Sequence, residues 1–153
     1  MKFWIKCIPP KSTGQAGLRI MKKKNGQQFI GKFASSKSKK TQEELMTLLR
    51  PYVPDSPMEG PIKLFVFWCY PWRKAEPKKN RVLGRKHCDT RPDCDNLCKM
   101  LQDNMSRLGF WCDDAQIAHL EFIKYWADNP GIGIEITELP EVPRETATQQ
   151  ELL

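Results

Sequence analysis

The alternation of apolar and polar positions predicts a set of short strands punctuated by turns, and two stretches with helical spacing. Lys2–Ile8 (KFWIKCI) reads as a first strand that Pro9-Pro10 stops, followed by a loop rich in Lys, Ser, Thr and Gly. Leu18–Lys24 and Gln27–Phe33 flank Asn25-Gly26, a dipeptide that favours a tight hairpin turn. Thr41-Gln42-Glu43-Glu44 ahead of Leu45, Leu48 and Leu49 resembles a capping box opening a helix that Pro51 closes. The four prolines of residues 51–61 mark a linker. Ile62–Tyr70 (IKLFVFWCY) is almost continuously apolar, which predicts a strand buried on both faces at the centre of a sheet. Pro71–Thr90 reads as a long basic loop, a length that is usually functional in a compact domain. From Asp95 to Leu108 the apolar positions Leu97, Leu101, Met105 and Leu108 share one helical face, and Gly109 supplies the stop. Ile117–Ala127 and Gly131–Thr137 read as further strands, and the stretch from about Pro140 as a disordered tail. The fold class these elements predict is α/β (α+β): a small mixed sheet packed with about two helices, in one domain over residues 1–139.

At 153 residues the chain has room for one modest core. No apolar run approaches the roughly 18 residues of a membrane span, and the N-terminus has no signal-peptide pattern, so the expected location is the cytoplasm with no membrane partner. Six cysteines in that setting read as free thiols. Charge is unevenly placed: residues 1–50 balance at +10, residues 51–100 at +4 and residues 101–153 at −7. A basic N-terminal third suits a polyanion, because neutralising phosphates releases condensed counterions. A solvated lysine surface would look the same in composition.

Against this basic background four acids bracket the helix of residues 95–108: Asp93 and Asp95 before it, Asp113 and Asp114 after it. Converging carboxylates repel unless a hard cation holds them, and magnesium takes oxygen ligands while keeping waters that a phosphate can displace. Lys99 lies four residues from Asp95, on the same helical face. It could neutralise charge on a phosphate in the transition state. The plainer reading makes Asp93 or Asp95 a helix cap, Lys99 a surface partner of Asp95 and Asp103, and Asp113-Asp114 turn residues. A helix of this length is about 21 Å long, so its ends meet in one site only if the chain beyond Asp114 folds back beside the residues before Asp95.

Residues 91–117, RPDCDNLCKMLQDNMSRLGFWCDDAQI, resemble the RusA family of Holliday junction resolvases. The likeness rests on Asp93, Asp95, Asn96, Leu97 and Lys99, then Gly109, Phe110, Trp111, Asp113, Asp114, Ala115 and Gln116, at matching separation. Weaker similarity runs through residues 122–139 and back to Pro9-Pro10. The resemblance implies a homodimeric endonuclease of mixed α/β fold that depends on Mg²⁺, for which Mn²⁺ can substitute, and nicks four-way DNA junctions symmetrically, with no small-molecule cofactor. It implies Asp93, Asp95 and Asp114 as metal ligands, Asp113 as their neighbour and contributor, and Lys99 as the catalytic lysine. A bacterial or phage-infected cell is the implied setting. The segments Lys11–Lys40 and Arg73–Lys86 depart from the shorter family members. From the basic segments Lys22, Lys23, Lys24, Arg85 and Lys86 are the candidate DNA contacts.

Cys88, Cys94, Cys98 and Cys112 with His87 could be arranged around zinc in a DNA-binding module, but their spacings lack paired C-x₂-C motifs. A branched-DNA binder without catalysis need not retain the acids and Lys99. Trp68, Trp72 and Trp111 are expected in the core rather than stacked on bases, and His87 and His119 sit in weak contexts for a general base.

Overall fold

The computed structural model describes residues 1–13, 17–33 and 36–140; of residues 17–19, 31–33 and 36–37 only the backbone is described. The tail expected from about Pro140 lies almost wholly outside the described residues. Among those residues no helix is long and apolar enough to cross a membrane.

Five strands form the main sheet: β1 (Lys2–Ile5), β4 (Ile62–Pro71), β5 (Arg85–His87), β6 (Ile117–Ala127) and β7 (Gly131–Glu138). Their order is β1-β7-β4-β6-β5, so the apolar run IKLFVFWCY is the central strand, as its composition predicts. β4 and β6 are parallel, with Leu64 opposite Leu120 and Tyr70 opposite Trp126, and the other pairings in this sheet are antiparallel. The sheet is therefore mixed. Along β4 the residues Ile62, Leu64, Val66, Trp68 and Tyr70 are fully buried, whereas Lys63, Phe65 and Phe67 on the other face are half-buried. The expectation of burial on both faces holds only for the end of the strand, where Cys69 is also covered.

The covered face packs on two long helices, α1 (Ser36–Leu49) and α3 (Cys94–Leu108). α1 starts at Ser36, five residues ahead of the Thr41 start read from the capping pattern. Its buried positions Ser38, Thr41, Leu45 and Leu49 lie three and four residues apart, so two small hydroxyl residues extend the apolar stripe upstream. α3 buries Leu97, Cys98, Met100, Leu101, Asn104 and Met105, and ends at Gly109, whose φ of +83° is the left-handed conformation of a helix stop. Trp68 and Trp111 are core residues, and Trp72 is half-buried with its Nε1 donating to Asp128.

β2 (Gly17–Lys22) and β3 (Gln28–Phe33) form a separate hairpin, with Ile20 opposite Ile30 and Asn25-Gly26 in its turn, as predicted. Gly26 has φ +85°, and the Lys23 and Gln27 backbones close the turn. Within the segment read as a basic loop, the structure adds a one-turn helix α2 (Lys78–Arg81) and the three-residue strand β5.

Candidate active site

Asp93 is the residue immediately before α3, in extended conformation, and its carboxylate makes no capping hydrogen bond to the helix. Asp95 lies in the first turn and Lys99 one turn on, both exposed on the same side. The positive end of the helix dipole there favours negative charge beside it. Asp93 and Asn96 share a hollow of about 440 Å³ with Lys11, Ser12, Thr13 and Arg91. The N-terminal segment reaches this place because the Tyr70 hydroxyl donates to the Pro10 carbonyl at 2.9 Å. Two cations, two hydroxyls, a carboxamide and a carboxylate thus face one space.

Lys124 holds the approach to Asp93. Its side chain is buried on the core face of β6, and Nζ donates to the carbonyls of Thr90 at 2.7 Å and Pro92 at 2.6 Å. The Cys88 N–H donates to the Lys124 carbonyl at 3.0 Å. The loop of residues 88–92 is therefore pinned at both ends, and the Arg91–Pro92 peptide within it is cis. Among the described residues no carboxylate pairs with this ammonium.

Asp113 and Asp114 stand at the other end of α3. Asp113 caps a short 3₁₀ turn, Asp114–Gln116: its Oδ1 accepts from the Ala115 N–H at 2.8 Å, and the Gln116 side chain accepts in return from the Asp113 N–H at 3.0 Å. Gln116 Nε2 also donates to the Met58 and Gly60 carbonyls, both at 3.0 Å, fixing the turn against the start of β4. Asp114 is exposed and shares a hollow of about 270 Å³ with Asp103, Ser106 and Arg107 of the last turns of α3.

The two acid pairs do not meet within one chain. A helix of 15 residues separates them, about 22 Å at 1.5 Å per residue. Lys124, which touches the Asp93 loop, lies seven residues along β6 from Ile117, about 23 Å at strand rise. β6 does return to the Asp93 end, as the shared-edge argument requires, but Asp114 stays behind at the start of that strand. Among the described residues no three His, Cys, Asp or Glu side chains stand close enough to hold a metal. The donors at each end are nonetheless carboxylate oxygens open to solvent, a set that suits a hard cation completed by water and phosphate. The cysteines do not form a zinc site there: Cys98 is buried in the core, Cys94 is exposed at the start of α3 and Cys112 lies past its end.

The candidate DNA contacts divide. Lys86 donates to the buried carboxylate of Glu76 at 3.3 Å, and Arg85 lies over the Tyr125 ring at 5.1 Å. Lys23 lies over Phe29 at the hairpin end, and Lys22 and Lys24 are exposed there. His119 pairs with Glu121 at 3.0 Å, and His87 lies against Tyr125. Lys11, Thr13 and Lys124 are absent from the sequence motif around Asp93, because their proximity depends on β1, the Tyr70 tether and the parity of β6. Arg91 is two residues from Asp93 but is not among the motif positions.

The site thus offers exposed aspartates at both ends of α3, with Lys11 and Arg91 beside Asp93. The chain belongs to the endodeoxyribonuclease RusA family, whose profile it matches over residues 8–137. It is 43% identical over 79 residues to the crossover junction endodeoxyribonuclease rusA of Lactococcus phage r1t, a stretch that covers 52% of this chain and 56% of that one. The chain thus spans little more than half the length of that curated relative.

Proposed function

We propose that the protein is a divalent-metal-dependent endonuclease that resolves four-way DNA junctions by paired nicks. Family membership over residues 8–137 carries this reading, and the relative's name supplies the substrate class. In it Asp93, Asp95 and Asp114 hold Mg²⁺, or Mn²⁺ in its place, with Asp113 fixing the turn that presents Asp114. The metal would supply an activated water and neutralise charge on the scissile phosphate. Lys99, exposed one turn from Asp95, adds a compact positive charge where negative charge develops. Lys11 and Arg91 face Asp93 across its hollow and hold the phosphate next to the cut.

The separation of the acid pairs favours a homodimer as the working unit. Asp93 and Asp95 of one chain need a third carboxylate that the same chain holds about 22 Å away. A second copy related by a two-fold axis can bring its own Asp113–Asp114 turn to that end, and the same operation builds a second identical site. Two sites match the near two-fold symmetry of a four-way junction. The location follows as the cytoplasm of a bacterial or phage-infected cell, where such DNA arises.

The test is incubation with a synthetic four-way junction beside duplex and single-stranded controls, with and without Mg²⁺. Metal-dependent, symmetric cuts in the junction alone are expected. Junction binding with no cleavage in Mg²⁺ or Mn²⁺ would leave the non-catalytic branched-DNA binder as the better account.

A further inference from the structure

The basic segment between β4 and β5 carries an exposed apolar apex. Val82 and Leu83 are adjacent and 83% and 82% exposed, the highest values among the large apolar side chains of the described residues. Residues 71–88 around them hold seven Lys/Arg against one acid, Glu76. That acid is consumed within the fold. Its carboxylate is fully enclosed and accepts from Arg73 Nε at 3.0 Å and Nη2 at 2.7 Å, from Asn80 at 2.7 Å and from Lys86 at 3.3 Å.

The apex is also fixed in place. Gly84, at φ +70°, donates its N–H to the Arg81 carbonyl at 2.9 Å, and its carbonyl accepts from the Asp128 N–H at 3.1 Å. The Asp128 carboxylate in turn accepts from Trp72 Nε1 at 2.7 Å. Leu83 borders a cavity of about 560 Å³ that Lys79, Arg85, His87 and Tyr125 also line. Lys74, Lys78 and Lys79 are exposed and make no ion pair among the described residues. A protein partner at this apex would have to cover uncompensated lysines, which interfaces disfavour. A polyanion neutralises them. Nine residues of chain, including the loop that Lys124 pins, connect Leu83 to Asp93.

We propose that Val82 and Leu83 are an apolar wedge that enters the base stack of branched DNA at the branch point, while the surrounding cations hold its backbone. Apolar side chains among cations are the usual means of unstacking a base step, and a branch point is already weakly stacked. The proposal rests on the junction-nuclease reading and assigns a DNA-deforming role to a segment outside the acidic motif.

The test uses the full chain in EDTA, so that DNA is bound without being cut, on a four-way junction with 2-aminopurine at the crossover. Wild-type protein at saturation is expected to raise the fluorescence of the probe. Val82→Ser/Leu83→Ser is expected to keep its duplex affinity, which also reports that it is folded. It should lose the fluorescence rise and reduce the preference for junction over duplex roughly tenfold. The same rise in the variant as in wild type, no rise in wild type, or an equal loss of duplex and junction affinity would each overturn the wedge. Cleavage of the junction by wild type in Mg²⁺ is scored separately: if it cuts while the wedge fails, the nuclease reading stands, and if it neither prefers nor cuts junctions, that reading falls and the wedge with it.

Discussion

Lys124 spans the carbonyls of Thr90 and Pro92 from a buried position in β6, and Asp93 follows directly on that clamp. Lys124→Met would strand both carbonyls at little change in volume. A loss of about 1–3 kcal/mol in denaturant unfolding is expected, together with slower cleavage at unchanged duplex affinity. A variant that unfolds and cuts as wild type does would show that the clamp neither stabilises the loop nor positions Asp93. Asp93→Asn, Asp95→Asn and Asp114→Asn should each abolish cutting and leave junction binding intact, since phosphate affinity comes from Lys and Arg. Lys99→Ala should slow cleavage by orders of magnitude with little change in affinity, and Lys99→Arg should not fully restore it, because a planar fork does not replace a compact ammonium. Normal cutting by both Lys99 variants would reduce that lysine to a surface partner of the helix. The acids and Lys99 are legible in the sequence because they form a spaced motif. Lys124 is not, since a single lysine in an alternating strand reads as solvent-facing, and only the parity that places Phe122, Lys124 and Trp126 together turns it inward.

At the scale of elements, Glu76 organises the segment between β4 and β5. The hydrogen bond from Asn80, then that from Arg73, with Lys86 adding to them, outweighs burial and lowers its carboxyl from 4.5 to about 2. A carboxyl whose value falls on folding contributes stability above its ordinary value, and that contribution is lost as pH falls from about 4.5 towards 2. Glu76→Gln should therefore flatten the decline of the melting temperature over that acid window. An unchanged slope would remove Glu76 as its source. The opposite edge of the sheet depends on two glycines of β7. A Cβ at Gly131 would come within 2.6 Å of the Trp4 ring and of the Ile5 carbonyl, and one at Gly133 within 3.0 Å of the same ring. Gly131→Ala should cost about 1–3 kcal/mol in unfolding experiments, and a neutral result would mean that β1 moves aside freely. The strands, the hairpin and α3 were legible from periodicity and turn residues. α2 and β5 were not, because one turn and three residues carry no period, and what orders them is the Glu76 network rather than local propensity. The parallel pairing of β4 with β6 was hidden too, since it joins strands across the whole of α3.

For the molecule as a whole, the basic segments at residues 11–40 and 73–86 should make DNA affinity strongly dependent on salt. Each neutralised phosphate adds about 0.9 to the log–log slope, so a slope steeper than about 3 is expected and one near 1 would contradict a basic binding surface. The sequence placed four acids around one helix whose length already keeps its ends apart. It did not show that β6 returns to the Asp93 end while Asp114 stays at its start, which the sheet pairing sets. In the proposed two-chain site cutting is a property of the dimer, and co-expression of Asp95→Asn with Asp114→Asn tests this most directly. In a mixed dimer one site combines both substitutions, and the other combines Asp93 and Asp95 of one chain with Asp114 of its partner, all intact. Each variant alone is expected to be inert on a four-way junction, whereas the mixed dimer should nick one strand. A mixed dimer as inert as its parents would contradict a site shared between chains.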